Sequence, residues 1–356
     1  MSTAFKRLFN VAFTLLLVAC ASEPIPYQPD YPNPNQPSVK VPLVRYPGDQ
    51  PVPHTDRYNP SLPLGGYEAL VLTGSFAHSP QLHRFIQHMV HKYGFSETYL
   101  NGLFSSARRL DSVIRLESPL PPTGPGKPHL GSWTRYRNKF LTDAHISNGV
   151  EFWRNNADAI HMASVTYGVD PEYIVGIIGV ETYFGKNFGK TCIFDALSTL
   201  SFATVRRSSY FMSELEHFLL MTRDEDFDPR QPQGSWAGAM GYGQFMPSSF
   251  RRLAVDFNKD GRRDLWHPKD AAGSVAHYFS RSGWKLHSSV TQQTAPSNDP
   301  AVIELSTYQG SEYWRVYPNF KVIKKYNNSN KYAMAVHQLA QAIKQRYQQT
   351  FGYSAN

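Results

Sequence analysis

Apolar residues recur at helical spacing in the segment that follows residue 78. Ser79 and Pro80 suit the N-cap and the first turn of a helix, and Gly94 suits its end. Between them the apolar positions are Leu82, Phe85, Ile86, Met89 and Val90. The pattern predicts an amphipathic helix.

The helical periodicity continues through residues 148–279, which we predict to be mostly α-helical. One amphipathic stretch is marked by Val150, Trp153, Ala157 and Ile160. A second begins at Asp170-Pro171-Glu172 and runs to about Glu181. A last helix is predicted from Tyr332 to Tyr347.

Polar and apolar residues alternate in short runs after Trp284. The runs Val302–Leu305 and Tyr313–Tyr317 are typical of strands and predict a small β unit. A Pro/Gly-rich stretch, Pro119–Gly131, separates two helical regions. We therefore predict a mainly α fold of the α+β class. Its parts are a helical domain over 64–140, a helical core over 141–285, a small β domain over 286–323 and a C-terminal helical segment over 324–356.

The first nineteen residues have the pattern of a signal peptide. Lys6 and Arg7 precede the apolar run Leu8–Ala19, which is about twelve residues long, whereas a membrane-spanning helix needs about 20. The run ends in Leu17-Val18-Ala19-Cys20, which resembles the lipobox of bacterial lipoproteins, so we predict lipidation at Cys20. A chance cysteine after an ordinary signal peptide is the alternative. Ala21 resembles the residue at this position in lipoproteins of the outer membrane.

Residues 20–63 are predicted to form an extended tether. Twelve prolines occur in the forty residues Pro24–Pro63, with few large aliphatic side chains. At about 3.1 Å per residue such a tether reaches roughly 100 Å from a membrane surface. A spacer of no particular length fits the residues equally well.

Charge and cysteine content narrow the classes of partner. The formal net charge is +8, and removal of Lys6 and Arg7 with the signal peptide leaves 8 − 2 = +6. This moderate excess does not indicate nucleic-acid binding; it suits an anionic polymer or lipid surface, or a solvated surface without a partner. Cys192 is the only other cysteine, so no intramolecular disulfide is possible after acylation of Cys20, and we predict a buried thiol. No organic cofactor and no specific protein partner is predicted.

Glu181 is the leading candidate for catalysis. It lies at the end of the apolar segment Ile174–Val180, where burial would raise its pKa into the range of a general acid. An exposed glutamate just beyond a buried helix explains this segment alone equally well. A second segment, Ser235–Ser249, combines three glycines within six residues with the polar Ser235 and Gln244. Close backbone approach to a ligand or a tight structural turn would both explain it.

The segment Asp256–Asp264 matches the start of an EF-hand calcium loop. Alternating oxygen donors occur at Asp256, Asn258 and Asp260, and Gly261 permits the sharp turn. The twelfth position, usually glutamate, is His267, a poor calcium ligand. A metal-free acidic turn is the alternative.

Taken together, the motifs resemble the family 3 lytic murein transglycosylases, the membrane-bound lytic transglycosylase B group. The resemblance runs from about Met89 to the end of the chain. Besides the two segments around Glu181 and Ser235, the matching motifs are Ala107–Val113, Trp133–Arg137, Tyr326-Asn327 and Tyr332–Val336.

The resemblance implies a lysozyme-like helical core with an additional helical domain and a small β domain. The β domain is expected to be shortened, because fewer residues lie between Trp284 and Tyr313 than in the family, which leaves its contact with substrate open. Glu181 is implied as the sole catalytic acid/base. The implied substrate-binding residues are Ser235, Gln244, Asn327, Tyr136, Tyr278, Tyr326 and Tyr332. For each tyrosine, core packing is the alternative. The family's calcium loop has fifteen positions, which implies a structural ion held by Asp256, Asn258, Asp260, the Arg262 carbonyl and Asp270.

The resemblance also implies a reaction and a location. The enzyme would cleave the bond between N-acetylmuramic acid and N-acetylglucosamine in peptidoglycan glycan strands and leave 1,6-anhydromuramoyl ends. A hydrolytic muramidase on the same fold, with a second carboxylate, or a non-catalytic wall-binding lipoprotein are the alternatives. The expected location is the periplasmic face of the outer membrane of a Gram-negative cell.

Overall fold

The structure is a computed structural model that describes residues 65–118 and 129–352. The predicted signal peptide, Cys20, the tether and most of the Pro119–Gly131 stretch therefore lie outside the described residues. No helix in the described ranges is both long enough and apolar enough to cross a membrane.

The described residues form a mainly helical fold with two small sheets. The first helices are α1 (Pro80–Tyr93), α2 (Glu97–Ser105), α3 (Asp111–Glu117) and α4 (Ser132–Arg137). They are followed by α5 (Asp143–Asn155), α6 (Ala157–Tyr167), α7 (Pro171–Thr182), α8 (Ile193–Phe202) and α9 (Ser208–Asp224). The last helices are α10 (Pro247–Leu253), α11 (Pro268–Arg281), α12 (Pro318–Tyr326) and α13 (Asn330–Phe351). The strands are β1 (Thr191–Cys192), β2 (Gln233–Gly234), β3 (Thr291–Thr294), β4 (Val302–Thr307) and β5 (Gly310–Val316).

Helix α1 begins and ends where its sequence predicts. The Ser79 hydroxyl accepts the backbone N–H of Leu82 at 3.3 Å, and Gly94 closes the helix with φ 68°. All the predicted apolar positions except Val90 are fully buried. Ser79 and Gly94 mark the ends of α1 reliably, because each provides for backbone groups that have no hydrogen-bond partner within the helix.

The amphipathic stretch predicted across Ala157 is two helices, not one. The backbone turns at Asn156, with φ −124° and ψ 24°, so that α5 ends there and α6 begins. The Phe152 carbonyl accepts both the backbone N–H of Asn156 at 3.1 Å and the Asn156 side-chain amide at 2.9 Å, which fixes the end of α5. Apolar periodicity alone did not reveal this break, since apolar positions continue on both sides of Asn156.

Helix α7 lies at the centre of the core and is buried almost all round. It packs against α13 at Gly176, where an added Cβ would lie 3.0 Å from the Cβ of Ala340. At Gly179 an added Cβ would lie 3.0 Å from the Leu339 Cδ2 atom of α13 and 2.6 Å from the Phe184 ring. The two glycines explain how the final helix of the chain reaches the backbone of α7, and so the end of α7 that carries Glu181.

The predicted β unit is a three-stranded antiparallel sheet in the order β3-β5-β4. It is joined to α4 by a hydrogen bond from the Gly131 N–H to the Thr307 carbonyl at 3.1 Å. Helix α12 begins at Pro318, inside the range 286–323 that was assigned to this unit. The division of the chain into domains stays a prediction.

A two-stranded ribbon, β1 and β2, connects the segment after α7 with the Ser235 segment. Thr191 in β1 pairs with Gly234 in β2, directly before Ser235. Cys192 in this ribbon is only partly buried, so the prediction of a buried thiol was wrong. The thiol donates to the Arg230 carbonyl at 3.5 Å, and its partial burial still raises its pKa.

Candidate active site

Glu181 lies in the last turn of α7 and is partly exposed. The Tyr332 hydroxyl donates a hydrogen bond of 2.5 Å to its Oε1 atom. Burial raises the pKa of Glu181 to about 7, and the hydrogen bond from Tyr332 opposes part of that rise. A carboxyl group with this pKa is a proton donor and a proton acceptor in comparable measure near neutral pH.

Among the described residues, no second carboxylate influences the pKa of Glu181. Burial and the Tyr332 hydroxyl are the influences on the Glu181 pKa within the described part of the chain. A hydrolase that uses two carboxylates would place the second acid across the scissile bond, within about 10 Å of the first. The influences on the Glu181 pKa therefore give no sign of a second carboxylate of this kind in the described residues.

The backbone has a left-handed conformation at Tyr183 and Phe184, two and three residues after Glu181. Neighbouring side chains contact this segment. Tyr183 has φ 53° and Phe184 has φ 58°, a region that non-glycine residues seldom adopt. The Tyr183 hydroxyl accepts a hydrogen bond of 2.6 Å from the Asn148 side chain. The buried His145 ring lies 4.5 Å from the Tyr183 ring, and its Nε2 atom donates to the Gly179 carbonyl at 3.0 Å.

His145, Asn148 and Thr182 are site-supporting residues that the sequence analysis did not identify. Burial lowers the pKa of His145 to about 4, so the ring is neutral at neutral pH and adds no positive charge beside α7. The Thr182 hydroxyl is buried and lies 3.1 Å from the Tyr242 carbonyl, so it joins α7 to the Ser235 segment. No sequence signal could have identified them, because each acts through contacts with residues distant in the chain.

The Ser235 segment forms a tight turn beside the C-terminal end of α7, which carries Glu181. The Ser235 hydroxyl is buried and accepts the N–H groups of Ala237 at 3.2 Å and Ala239 at 3.0 Å. Gln244 has φ 51°, and its side-chain amide donates to the Gly241 carbonyl at 2.9 Å. Gly241 is required by its surroundings, since an added Cβ would lie 2.3 Å from the Leu265 carbonyl oxygen. The segment Ser235–Ser249 is therefore a tight structural turn, and the same segment lies beside Glu181, where it could contact a ligand.

Three of the predicted tyrosines are brought to this turn and to Glu181. The Tyr326 hydroxyl donates to the Gly243 carbonyl at 2.6 Å, and its ring centroid lies 4.6 Å from that of Tyr278. Tyr332 contacts Glu181 directly, and Asn327 is buried at the end of α12, next to Tyr326. Elements α11, α12 and α13 therefore supply an aromatic and polar wall beside the carboxyl group.

Tyr136 is connected to the site through other rings. Its ring centroid lies 5.4 Å from that of Phe140, and the Phe140 ring lies 5.9 Å from that of His145. The row continues to Tyr183, two residues beyond Glu181. Tyr136 is half-buried, which is compatible both with packing in this row and with contact to a ligand.

The segment 256–264 forms a compact loop in which the side-chain oxygens of the predicted metal ligands accept backbone N–H groups. Asp256 accepts the N–H groups of Asp260 at 3.1 Å and Gly261 at 2.8 Å, while the Asn258 amide donates to Asp260 at 2.9 Å. The buried Asp270 accepts the N–H of Asn258 at 3.0 Å. Asp270 thus reaches the loop from the first turn of α11, as the lengthened loop requires.

The chemistry of this donor set fits a hard cation. Its side-chain atoms are carboxylate and amide oxygens, which Ca²⁺ prefers. The same atoms are held by backbone N–H groups, and no set of three His, Cys, Asp or Glu side chains in the described residues has converged into a metal cluster.

Comparison with known proteins agrees with this geometry. The family model described as the transglycosylase SLT domain matches residues 77–301 and 287–341. The chain is 41% identical to the membrane-bound lytic murein transglycosylase B of Escherichia coli strain K12, over 95% of this chain and 98% of the relative.

Solved structures are similar over the same region. The Escherichia coli lytic transglycosylase Slt35, solved in complex with bulgecin A and in complex with calcium, is 43% identical, with a TM-score of 0.73. The similarity covers 82% of this chain and 99% of that chain. SltB3 of Pseudomonas aeruginosa, solved in complex with NAG-anhNAM-pentapeptide, is 26% identical, with a TM-score of 0.65 over 74% of this chain and 78% of that chain.

Proposed function

Because this chain belongs to the lytic murein transglycosylases, which cleave peptidoglycan, we propose that Glu181 is its single catalytic acid/base. The observation that supports this assignment best is the carboxyl group itself. Burial raises its pKa to about 7, Tyr332 holds its Oε1 atom, and no second carboxylate influences it within the described residues.

In the proposed first step, protonated Glu181 donates its proton to the oxygen that joins N-acetylmuramic acid to N-acetylglucosamine. The bond from the muramoyl C1 atom to this oxygen breaks, and the carbonyl oxygen of the muramoyl N-acetyl group stabilises C1. The hydrogen bond from Tyr332 stabilises the carboxylate that remains on Glu181.

In the second step, the Glu181 carboxylate accepts the proton of the muramoyl C6 hydroxyl. The O6 atom attacks C1 and displaces the N-acetyl oxygen, which gives a 1,6-anhydromuramoyl end and returns Glu181 to its protonated form. No water is consumed, so the products together have the mass of the substrate. SltB3 was solved with such an anhydro compound, which supports this product for the present chain.

We expect Glu181→Gln to abolish most of the activity while the fold survives. The amide keeps the size of the side chain but cannot deliver a proton, and general acid catalysis contributes about 10² to 10⁴ in rate. Since one group serves both steps, the loss should reach the upper end of that range. The measurement is the release of 1,6-anhydromuropeptides from sacculi, followed by mass spectrometry.

Glu151→Gln is the matched control, because it makes the same change at an exposed position of α5. It should retain full activity. A folded Glu181→Gln enzyme that keeps more than about a tenth of the wild-type rate would contradict the assignment. Products that are one water heavier would show hydrolysis instead.

We also propose that the site wall binds the sugars on either side of the cleaved bond. The proposed substrate-binding residues are Ser235, Gln244, Asn327, Tyr136, Tyr278, Tyr326 and Tyr332. Tyrosine rings offer flat faces for sugar rings and a hydroxyl group for a polar contact. Tyr326 contacts the turn that contains Gln244, and Tyr278 packs against Tyr326, which supports this role.

A structural calcium ion is proposed for the loop 256–270. Its ligands would be Asp256, Asn258, Asp260, the Arg262 carbonyl oxygen and Asp270. The ion would neutralise neighbouring carboxylates and tie the loop to α11. The carboxylate and amide oxygens gathered in this loop and the calcium complex of Slt35 support the proposal.

We further propose that the enzyme is lipid-anchored through Cys20 at the periplasmic face of the outer membrane. Its Escherichia coli relative is named as membrane-bound. The lipobox Leu17–Cys20 and the Pro-rich residues 20–63 would supply an anchor and a tether.

A further inference from the structure

The loop between α11 and β3 presents an apolar side chain to solvent. Leu286 lies in this loop and is 44% exposed. The next residue, His287, has φ 59°, a left-handed conformation that a non-glycine residue seldom adopts. An exposed leucine and a strained backbone are both unfavourable in the free protein, so the loop needs support from its surroundings.

Two buried polar side chains, Asp170 and Asn319, hold this loop. Asn319 accepts the N–H of Lys285 at 2.9 Å and donates to the Lys285 carbonyl at 2.7 Å. Asp170 accepts the indole N–H of Trp284 at 2.9 Å and the backbone N–H of His287 at 3.1 Å. Asp170 is the N-cap residue of α7, yet its side chain makes no capping hydrogen bond to that helix. Two buried groups therefore fix the loop in the conformation that exposes its leucine.

Exposed lysines lie beside this loop on α12. Lys321 and Lys325 are both exposed and, four positions apart, lie on one face of that helix. The Lys325 ammonium donates to the Ser282 carbonyl at 2.8 Å, just before the loop. The exposed Lys285, within the loop, is bound through its backbone to the first turn of α12. We call Leu286 and these three lysines the lysine–leucine surface.

The three lysines have no acidic partners. Within the residues that the structure describes, none of them forms an ion pair. Neither residues 271–298 nor residues 313–356 contain an Asp or a Glu. The carboxylate that touches the loop, Asp170, is buried and is bound to Trp284 and His287. The lysine–leucine surface therefore presents uncompensated positive charge together with an exposed apolar side chain.

A second exposed apolar residue shows why this combination is informative. Val205 is 91% exposed, but the arginines that follow it, Arg206 and Arg207, are both paired with Glu117. A single exposed apolar residue is ordinary at a protein surface and indicates no partner. Around Leu286 the neighbouring cations are free to bind an external anion.

We propose that the lysine–leucine surface docks the catalytic body onto an anionic lipid bilayer. Lipid phosphates would bind the three lysines, and the boundary between headgroups and acyl chains would accept Leu286. A carbohydrate or peptide polymer offers anions but no apolar layer for the leucine. This inference goes beyond the proposed catalytic function, because it involves neither Glu181 nor the side chains of the sugar wall.

The docking would act together with the proposed anchor. Each basic residue near an anionic membrane strengthens binding only about fivefold, so three lysines hold a free protein weakly. An anchored protein stays within reach of the surface, and the same contacts then become effective. Because the Tyr278 hydroxyl donates to the Lys325 carbonyl at 2.8 Å, docking would also fix the position of the aromatic wall relative to the membrane.

The test uses the full-length protein, reconstituted into phospholipid vesicles. Every variant carries Cys192→Ala, so that a thiol-reactive, environment-sensitive dye labels only an introduced cysteine. One protein carries Leu286→Cys, and its matched control carries Val205→Cys. The vesicles contain phosphatidylcholine alone or phosphatidylcholine mixed with phosphatidylglycerol, each with and without spin-labelled lipid as a quencher.

On phosphatidylglycerol vesicles the dye at position 286 should shift its emission to the blue and be quenched by the spin-labelled lipid. The dye at position 205 should show neither effect, and on phosphatidylcholine alone both dyes should report water. Lys285→Gln/Lys321→Gln/Lys325→Gln should reduce the quenching at position 286 about fivefold or more. High salt should act in the same direction, because ions screen the charges.

Two further variants separate a specific surface from net charge. Replacing the same three lysines by arginine should retain the quenching. Arg84→Gln/Arg115→Gln/Arg154→Gln removes equal charge at exposed positions of α1, α3 and α5 and should also retain it.

Equal quenching at positions 286 and 205 would overturn the inference, as would quenching at 286 that the triple glutamine variant leaves unchanged. A triple glutamine variant that binds isolated sacculi less tightly but keeps its quenching would assign the lysines to the wall polymer instead. Cleavage of soluble glycan strands by the triple glutamine variant should equal that of wild type. This activity shows that the variant is folded and keeps the docking test independent of the role of Glu181.

Discussion

At the scale of the residue, the chemistry depends on how unfavourable a negative charge is at Glu181. The side chain is desolvated by the core and stands in the last turn of α7, where the helix dipole also disfavours an anion. Tyr332 supplies a counteracting hydrogen bond. This balance holds the pKa near 7 and lets one carboxyl group exchange a proton in both directions.

The raised pKa has a consequence for stability. Below pH 4.5, the ordinary pKa of glutamate, Glu181 is protonated in both folded and unfolded chains and the free energy of unfolding is unaffected. As the pH rises from there to about 7, the unfolded chain releases the proton first, so the folded state loses stability. Glu181→Gln should therefore become more stable than wild type by about 1–3 kcal/mol above pH 8.

The measurement is thermal or denaturant unfolding of both proteins between pH 4 and pH 9. The difference in free energy of unfolding should vanish at the acid end of this range and grow as the pH rises. Glu151→Gln controls for the loss of an ordinary exposed carboxylate. A difference that does not vary with pH would show that Glu181 has an ordinary pKa.

At the scale of the element, the site is assembled from the ends of helices and the turns between them. Helix α7 supplies Glu181, α13 supplies Tyr332, and the turn before α10 supplies Gln244. The loop 256–264 closes on Asp270 in the first turn of α11, the helix that also carries Tyr278. An ion in this loop would therefore stabilise the helix that supports the aromatic wall.

Calcium should raise the melting temperature by about 5 to 10 °C at a hundredfold excess over its Kd, because it binds only the folded loop. Asp260→Asn keeps the shape of the side chain and removes one charge from the donor set, so most of the rise should be lost. Differential scanning calorimetry with and without calcium makes the comparison.

The control for the calcium experiment is Asp158→Asn, an exposed aspartate in the first turn of α6. It should respond to calcium as wild type does. The same rise in wild type and in Asp260→Asn would exclude the proposed site, and magnesium at equal concentration tests selectivity.

At the scale of the whole molecule, the catalytic body and the proposed anchor are separate parts of the chain. Cys20 precedes the first described residue by 45 positions, and no helix in the described ranges could span a membrane. In the proposed lipoprotein, an acylated Cys20 would hold the catalytic body through the Pro-rich residues 20–63.

Cys20→Ala should release the protein from the membrane fraction and abolish the incorporation of labelled fatty acid, with activity on soluble strands retained. Cys192→Ala is the natural control, since it removes the only other cysteine and should keep the label. Labelling of the Cys20→Ala protein would disprove the lipoprotein prediction.

The sequence by itself determined the local structure and the identity of the family. The predicted ends of α1 and the start of α7 at Pro171 are confirmed, because caps and prolines act on backbone groups within one turn. The mainly α fold with a small sheet and a lysozyme-like core is confirmed by the structure and by the likeness to Slt35. The roles of the single site residues remain predictions.

Only the tertiary structure decided which distant groups meet. Glu181 and the Tyr332 hydroxyl are 151 positions apart in the chain, yet their hydrogen bond helps to set the pKa of the carboxyl group. The break at Asn156 and the partial exposure of Cys192 were likewise absent from the sequence pattern. Desolvation and electrostatics depend on three-dimensional neighbours, whereas hydrophobic periodicity records only which face of an element is buried.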